Sequence, residues 1–329
     1  MHRILIIGTG SIGERHVRCF QATGRVELGI CELNEQLRSD VATRYQITKV
    51  FSSFEDALKQ QWDAALVATP ANSHIPIASK LADYSINLFI EKPLSTSLDG
   101  ISELIEKVKA KKLVAGIAYM FRAHPALADM REAIRSGRFG NPVQVVAEFG
   151  QSFPFYRPAY KTIYYAKRET GGGAIQDAMT HLINACEWLV GPVTRLSADA
   201  SHQVLEGVDV EDTVHVMARH GSVLASYSLN QYQPPNETYI KVNCDSGTAE
   251  FDLAENRWRW MIKPASTWKM EEFPKMERDD WYIRQAGDYL DALEGARPVL
   301  CTIEEGLQTL KVNIAALASA DSGAGMNNI

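Results

Sequence analysis

Apolar and polar positions change rhythm once along this 329-residue chain. Up to residue 120, short apolar runs at 3–7, 26–31, 62–68, 86–90 and 113–118 read as buried strands. Stretches with helical spacing, such as 12–22, 34–45, 54–60 and 98–111, fall between them. Strand alternating with helix predicts an α/β, doubly wound parallel sheet of the Rossmann kind. From Pro142 the runs follow one another, at 143–149, 196–200, 213–218, 223–229, 239–244, 248–253 and 258–262. Gly, Asn and Asp punctuate several of the breaks, as turns require. One strong helix interrupts them at 174–190, and two more close the chain at 283–294 and 303–319. This half predicts an open, mostly antiparallel sheet with helices on one face. The expected division is therefore 1–120 and 121–329, with a polar tail at 321–329 that should fray.

Composition narrows the function. Apolar residues make up 46% and charged residues 22%, as in ordinary globular proteins. A net charge of −6 without any basic block argues against a nucleic-acid partner. No apolar run reaches the length of a membrane span. The chain enters its first strand directly from Met1, so no signal peptide is expected. Five scattered cysteines form no C-x-x-C, and the histidines form no H-x-x-x-H, so neither a disulfide framework nor a metal site is expected. A reducing cytoplasm fits that cysteine usage.

The densest chemistry follows the first strand. Gly8-Thr9-Gly10-Ser11-Ile12-Gly13 leads from strand into helix, and Glu32 lies 19 residues beyond Gly13 at the end of the second apolar run. This is the dinucleotide-binding fingerprint in its required setting. The first glycine makes the tight turn, the second lets backbone approach a pyrophosphate, and the third lets helix pack on strand. Free N–H groups at the helix start favour the anion. Glu32 can accept both ribose hydroxyls and would repel a 2′-phosphate, so NAD is expected over NADP. Arg38, one helical turn further on, works against that preference.

Two further turns fall at the carboxyl edge of the same sheet, where ligands bind in this architecture. Thr69-Pro70-Ala71-Asn72-Ser73-His74 reads either as a turn with Asn72 or Ser73 capping the next helix, or as a cofactor contact. Glu91-Lys92-Pro93 reads either as a surface ion pair at a strand end or as an amine placed to face the nicotinamide end. Pro93 restricts Lys92 to extended geometry and admits a cis bond before it. In the second half, Gly171-Gly172-Gly173 precedes Asp177 and His181. On an α-helix these two would share a face, about 6 Å apart along the axis, either as an ordinary surface pair or, taken with Lys92 and the nucleotide fold, as a carboxylate–imidazole pair suited to proton handling. The run from Phe153 to Tyr165 supplies Tyr156, Arg157, Tyr160 and Tyr164, side chains suited either to a hydroxyl-rich or anionic ligand or to an oligomer interface. Trp258-Arg259-Trp260 reads as sheet packing.

Gly8-x-Gly10-x-x-Gly13, Ala68-Thr69-Pro70 with His74, Glu91-Lys92-Pro93, and the triple glycine followed by Asp177 and His181 together resemble the Gfo/Idh/MocA oxidoreductases. Arg122 and Pro125 are similar to that family's R-F-x-P, with Ala123 in place of the aromatic residue and Met120 in place of a frequent asparagine. The resemblance implies a Rossmann domain followed by an open α/β domain whose sheet forms a homodimer or homotetramer. It implies Lys92, Asp177 and His181 as the catalytic group. Gly8, Gly10, Ser11, Ile12, Gly13, Glu32, Thr69, Pro70, Asn72, His74, Glu91 and Lys92 are the expected cofactor residues. Arg122, Tyr156, Arg157, Tyr160 and Tyr164 are the expected substrate residues. The activity so implied is an NAD-dependent dehydrogenase acting on a secondary hydroxyl of a sugar, inositol or related polyol. A redox-assisted glycosidase on the same fold and a sensor without catalysis are the alternatives.

Overall fold

The computed structural model describes residues 1–323, in two compact units. Met1–Ala123 and Met276–Leu307 form the first; His124–Lys275 and the chain from Gln308 form the second. The expected division at 120/121 placed 276–307 in the second domain. Packing returns that segment to the first, because Ala286, Tyr289 and Leu290 are buried in the core of the parallel sheet. Of the tail expected to fray, Asp321 and Ser322 end the last helix, and 324–329 lie outside the described residues.

The first unit runs β1 (His2–Ile7), α1 (Ser11–Ala22), β2 (Val26–Cys31), α2 (Glu35–Tyr45), β3 (Lys49–Phe51), α3 (Phe54–Ala57), β4 (Ala64–Val67), α4 (His74–Asp83), β5 (Asn87–Ile90), α5 (Ile101–Ala110) and β6 (Ala115–Ile117). The strands are parallel in the order β3-β2-β1-β4-β5-β6. The order reverses between β1 and β4, and a crevice at that point is the usual ligand site. Helix α1 buries Gly13, His16, Val17 and Phe20, a spacing that puts one stripe against the sheet. Asn34 caps α2, its side-chain oxygen accepting the Leu37 N–H at 2.9 Å. β3 is a short edge strand without an apolar run, so the pattern does not announce it.

The second unit begins with α6 (Pro125–Arg135), β7 (Pro142–Ser152), α7 (Phe153–Tyr156) and α8 (Thr180–Val190). There follow β8 (Arg195–Ser201), β9 (Thr213–His220), β10 (Val223–Asn230), β11 (Tyr232–Cys244), β12 (Gly247–Asp252), β13 (Arg257–Ile262) and β14 (Lys269–Glu272). Helix α9 (Arg278–Leu293) belongs to the first unit, and α10 (Ile303–Ser322) contributes to both. The eight strands order as β14-β13-β12-β11-β7-β10-β9-β8, antiparallel except for the β7–β10 pair. Strict alternation on β9 buries Val214, Val216, Ala218 and His220, so one face is core and the other is not. Helix α6 packs on β12 and β13, and α8 on β7. Trp258 and Trp260 are buried sheet residues, with the Arg138 guanidinium 3.7 Å from the Trp260 ring centre.

Candidate active site

The three glycines after β1 have three different surroundings. Gly8 has φ +84°, and a Cβ there would lie 2.8 Å from the Ala68 carbonyl oxygen. A Cβ on Gly13 would lie 2.0 Å from the Gly8 carbonyl oxygen, so only glycine lets α1 rest on this turn. Around Gly10 a Cβ would meet nothing within 4 Å. Protein fills the space at two glycines; at the third the backbone opens outward, at the first turn of α1. No side chain caps that helix start, which leaves the N–H groups of Ser11, Ile12 and Gly13 for an anion.

Glu32 is half-buried beside this turn. One carboxylate oxygen accepts the Thr9 N–H at 2.8 Å and faces the Thr9 hydroxyl at 3.3 Å; the other accepts the Asn34 N–H at 2.9 Å. Lone pairs remain for a ribose diol. Arg38 turns its guanidinium onto the Glu32 and Leu33 carbonyl oxygens, at 2.8 and 3.3 Å. An open glycine, an uncapped helix start and an oriented carboxylate fit a dinucleotide.

Beyond β4, Thr69 is half-buried, while Pro70 and Asn72 are exposed. Neither Asn72 nor Ser73 caps α4, contrary to the turn-and-cap expectation. The Ser73 hydroxyl instead turns back, 2.7 Å from both the Thr69 hydroxyl and the Pro70 carbonyl, and stiffens the turn. His74 is buried, with Nδ1 3.0 Å from the Pro93 carbonyl and Nε2 2.8 Å from the Thr69 carbonyl. Burial holds its pKa below the ordinary imidazole value. Both nitrogens face protein carbonyls, and the single N–H of the neutral ring donates to one of them, so His74 sits buried between two loops.

After β5, Glu91 is also buried, so its side chain is not a cofactor contact. Its Oε1 lies 2.6 Å from His16 Nε2, and its Oε2 accepts the Lys92 N–H at 2.9 Å. Burial works to push the Glu91 carboxyl up, but the His16 hydrogen bond and charge and the Lys92 charge and N–H together carry it below the ordinary carboxylate range. Lys92 is half-buried, and the Lys92–Pro93 bond is cis.

In the second unit, the glycine run makes room for neighbours. A Cβ on Gly172 would lie 2.2 Å from the Tyr165 carbonyl oxygen, and one on Gly173, at φ +87°, 2.4 Å from Glu211 Oε1. That same Glu211 oxygen accepts the Ile175 N–H at 3.1 Å, and the Glu211 carbonyl accepts the Ala174 N–H at 2.9 Å. Glu211 therefore caps the helix, a role the sequence pattern did not signal. Burial pushes its carboxyl up, against the Ile175 N–H and Arg168.

The helix does not start as an α-helix. Ile175–Met179 is a π-turn, and α8 continues from Thr180. Asp177 thus stands in the wider turn and His181 in the first α-turn, so the simple α-helical spacing expected for the pair does not hold. Asp177 is buried and accepts the Tyr164 hydroxyl at 2.7 Å; Arg157 in turn donates to that hydroxyl at 3.2 Å. His181 is half-buried.

Two of the expected substrate residues are structural. Tyr160 is buried against Phe153 and Tyr165 and donates to the Glu206 carbonyl at 2.8 Å. Arg122 is buried and donates to the Leu300 carbonyl at 2.9 Å and to Glu305 at 2.7 Å. Tyr156 is half exposed, next to Phe155, which is more so. All five cysteines are buried, and none is joined in a disulfide among the described residues. Among the described residues no helix is long and apolar enough to cross a membrane.

Residues 2–119 match the family model described as "Oxidoreductase family, NAD-binding Rossmann fold", and residues 127–250 match the Gfo/Idh/MocA C-terminal domain. The chain is 24% identical to a UDP-N-acetylglucosamine 3-dehydrogenase of Acidithiobacillus ferrooxidans, over 95% of this chain and 94% of that protein. It is 27% identical to an inositol 2-dehydrogenase/D-chiro-inositol 3-dehydrogenase of Shouchella clausii, over 57% of this chain. That match spans only about half the length of the relative, 53%. The fold is that of levoglucosan dehydrogenase solved with NADH and levoglucosan, with a TM-score of 0.89 over 98% of both chains at 20% identity. The chain belongs to the Gfo/Idh/MocA oxidoreductases, and its first domain is their NAD-binding Rossmann fold.

Proposed function

We propose that this protein is an NAD-dependent dehydrogenase that interconverts a secondary hydroxyl and a ketone on a sugar, inositol or related polyol. The observation that carries this reading is the glycine cradle, open only at Gly10 and flanked by the oriented Glu32, in one chain with the anchored Lys92 turn. Gly8, Gly10, Ser11, Ile12 and Gly13 hold the pyrophosphate, Glu32 the adenine ribose, and the Thr69-Pro70 turn the remainder. When bound, NAD supplies the hydride acceptor or donor.

Proton handling falls to the protein. His181 takes the hydroxyl proton during oxidation and returns it during reduction. Lys92 donates a hydrogen bond to the substrate oxygen and stabilises negative charge developing there. Asp177, held by Tyr164, accepts from a substrate hydroxyl and orients the ring. Arg157 and Tyr156 add further polar contacts. The buried thiols and the absence of an apolar spanning helix among the described residues support a cytoplasmic enzyme. The family likeness supports a homodimer or homotetramer through the sheet of the second domain.

The test is a panel of aldoses, inositols, sugar acids and nucleotide sugars, each with NAD and NADP, followed by nicotinamide absorbance. Turnover with NAD on one polyol class supports the reading. Absence of turnover with every member, by protein that binds NAD, overturns the dehydrogenase assignment.

A further inference from the structure

We infer that His16 is a positioning residue for Lys92, acting through Glu91. The inference deepens the proposed function, since it rests on Lys92 serving the reaction. Its geometry is a continuous chain of contacts inside the first unit. His16 stands on α1, the helix whose first turn forms the nucleotide cradle. Its Nε2 meets Glu91 Oε1 at 2.6 Å, with the two side chains 1% and 6% exposed. The other Glu91 oxygen accepts the backbone N–H of Lys92 at 2.9 Å.

The protonation of this chain follows from its partners. An ionised carboxylate only accepts hydrogen bonds, so His16 Nε2 carries the proton and donates. His16 Nδ1 is buried without a hydrogen-bond partner, so the ring's one bond is spent on Glu91. Phe20, Phe89 and Tyr282 ring the imidazole, with centroids 6.3, 5.9 and 5.4 Å away, and leave it little freedom to turn. Without His16, Glu91 would be a buried carboxylate with its side-chain partner removed. It would then rotate toward water or take up a proton, and either change would release the Lys92 N–H.

A second grip acts on the next residue. His74, on α4, lies 3.0 Å from the Pro93 carbonyl. The Lys92-Pro93 turn is thus held on one side through Glu91 and on the other through His74. Of the two, only the His16 arm ties the lysine to the helix that forms the cradle. That placement makes His16 a link between the cofactor cradle and the direction of the amine.

The test compares His16→Leu, His16→Gln and the double variant H16L/E91L, the last leaving no buried charge behind should the first fail to fold. Each protein is labelled with limiting N-hydroxysuccinimidyl acetate. Peptide mass mapping then gives the Lys92 rate relative to Lys59, whose side chain is 72% exposed. NAD affinity is measured separately by calorimetry. We expect the Lys92:Lys59 ratio to change at least threefold in His16→Leu and in the double variant. NAD affinity should stay within threefold, and His16→Gln, which can still donate to Glu91, should restore the ratio. On a substrate found by the panel, kcat should fall tenfold or more with little change in KM. A wild-type labelling ratio in a folded His16→Leu or double variant overturns the inference. Because labelling needs no substrate, failure of the dehydrogenase reading would show separately, as absent turnover with an altered ratio.

Discussion

Adding one methyl group at Gly10 and at Gly13 should give opposite results. Gly10 has φ −57° and ψ −174°, which alanine adopts without strain, and its Cβ would enter open space. Gly10→Ala should therefore cost only the loss of a favoured N-cap residue, a few tenths to about 1 kcal/mol. If that open space seats a pyrophosphate, the methyl displaces it from the helix N–H groups. Loss of one hydrogen bond to a charged oxygen is worth about 1.5–3 kcal/mol, roughly a 10- to 150-fold weaker Kd for NAD. At Gly13 the added Cβ would lie 2.0 Å from the Gly8 carbonyl oxygen, far inside contact distance, so helix or strand must move. Overpacking of this kind costs about 1–3 kcal/mol or more, and Gly13→Ala should lower the unfolding midpoint whether or not NAD is present. Denaturant titration and calorimetric NAD binding on the two variants separate the effects. A Gly10→Ala protein that binds NAD within threefold of wild type would refute the assignment of that space.

Other perturbations follow from the same geometry. Glu32→Ala removes the acceptor beside the glycine turn and the repulsion toward a 2′-phosphate, so the NAD:NADP affinity ratio should narrow at least tenfold by fluorescence titration. The folded pKa of Glu91 lies below its unfolded value of 4.5, so on acidification the unfolded chain takes the proton first. Its contribution to stability is complete above about pH 4.5 and is lost as pH falls below that; Glu91→Gln should flatten the acid side of the unfolding-midpoint profile, and an unchanged slope would contradict it. Tyr164→Phe removes one hydrogen bond to Asp177 and should lower kcat/KM about tenfold, in line with one hydrogen bond to a charged group. Tyr160→Phe loses only a bond to the Glu206 carbonyl and should leave KM unchanged while costing stability on the order of 1 kcal/mol.

The cradle was legible because its determinants are local. A tight turn, a helix start and a strand end fall within a few residues of one another, and each needs a particular residue type. The parallel sheet was legible for the same reason, as buried strands and amphipathic helices alternate. What escaped depends on distant partners. His16 and Glu91 are 75 residues apart, and Glu211 caps a helix 36 residues upstream; neither pairing leaves a periodic trace. Tyr160 and Tyr164 looked alike as members of one aromatic loop. Only packing separates them, turning one into the cluster around Phe153 and the other toward Asp177. The π-turn at Ile175–Met179 breaks the spacing that apolar periodicity assumes. The return of Met276–Leu307 to the first unit is a matter of which core its apolar face fills, and the helical pattern there would suit either.

The measurement that bears most directly on the account is turnover by wild type and Lys92→Ala with NAD and the substrate class found by the panel. The account predicts a rate about 10²–10⁴ lower in the variant, the usual effect of removing a proton-transfer or charge-stabilising group, with NAD affinity within a few-fold of wild type. Equal turnover in the two proteins would remove Lys92, and the mechanism built on it, from the reaction.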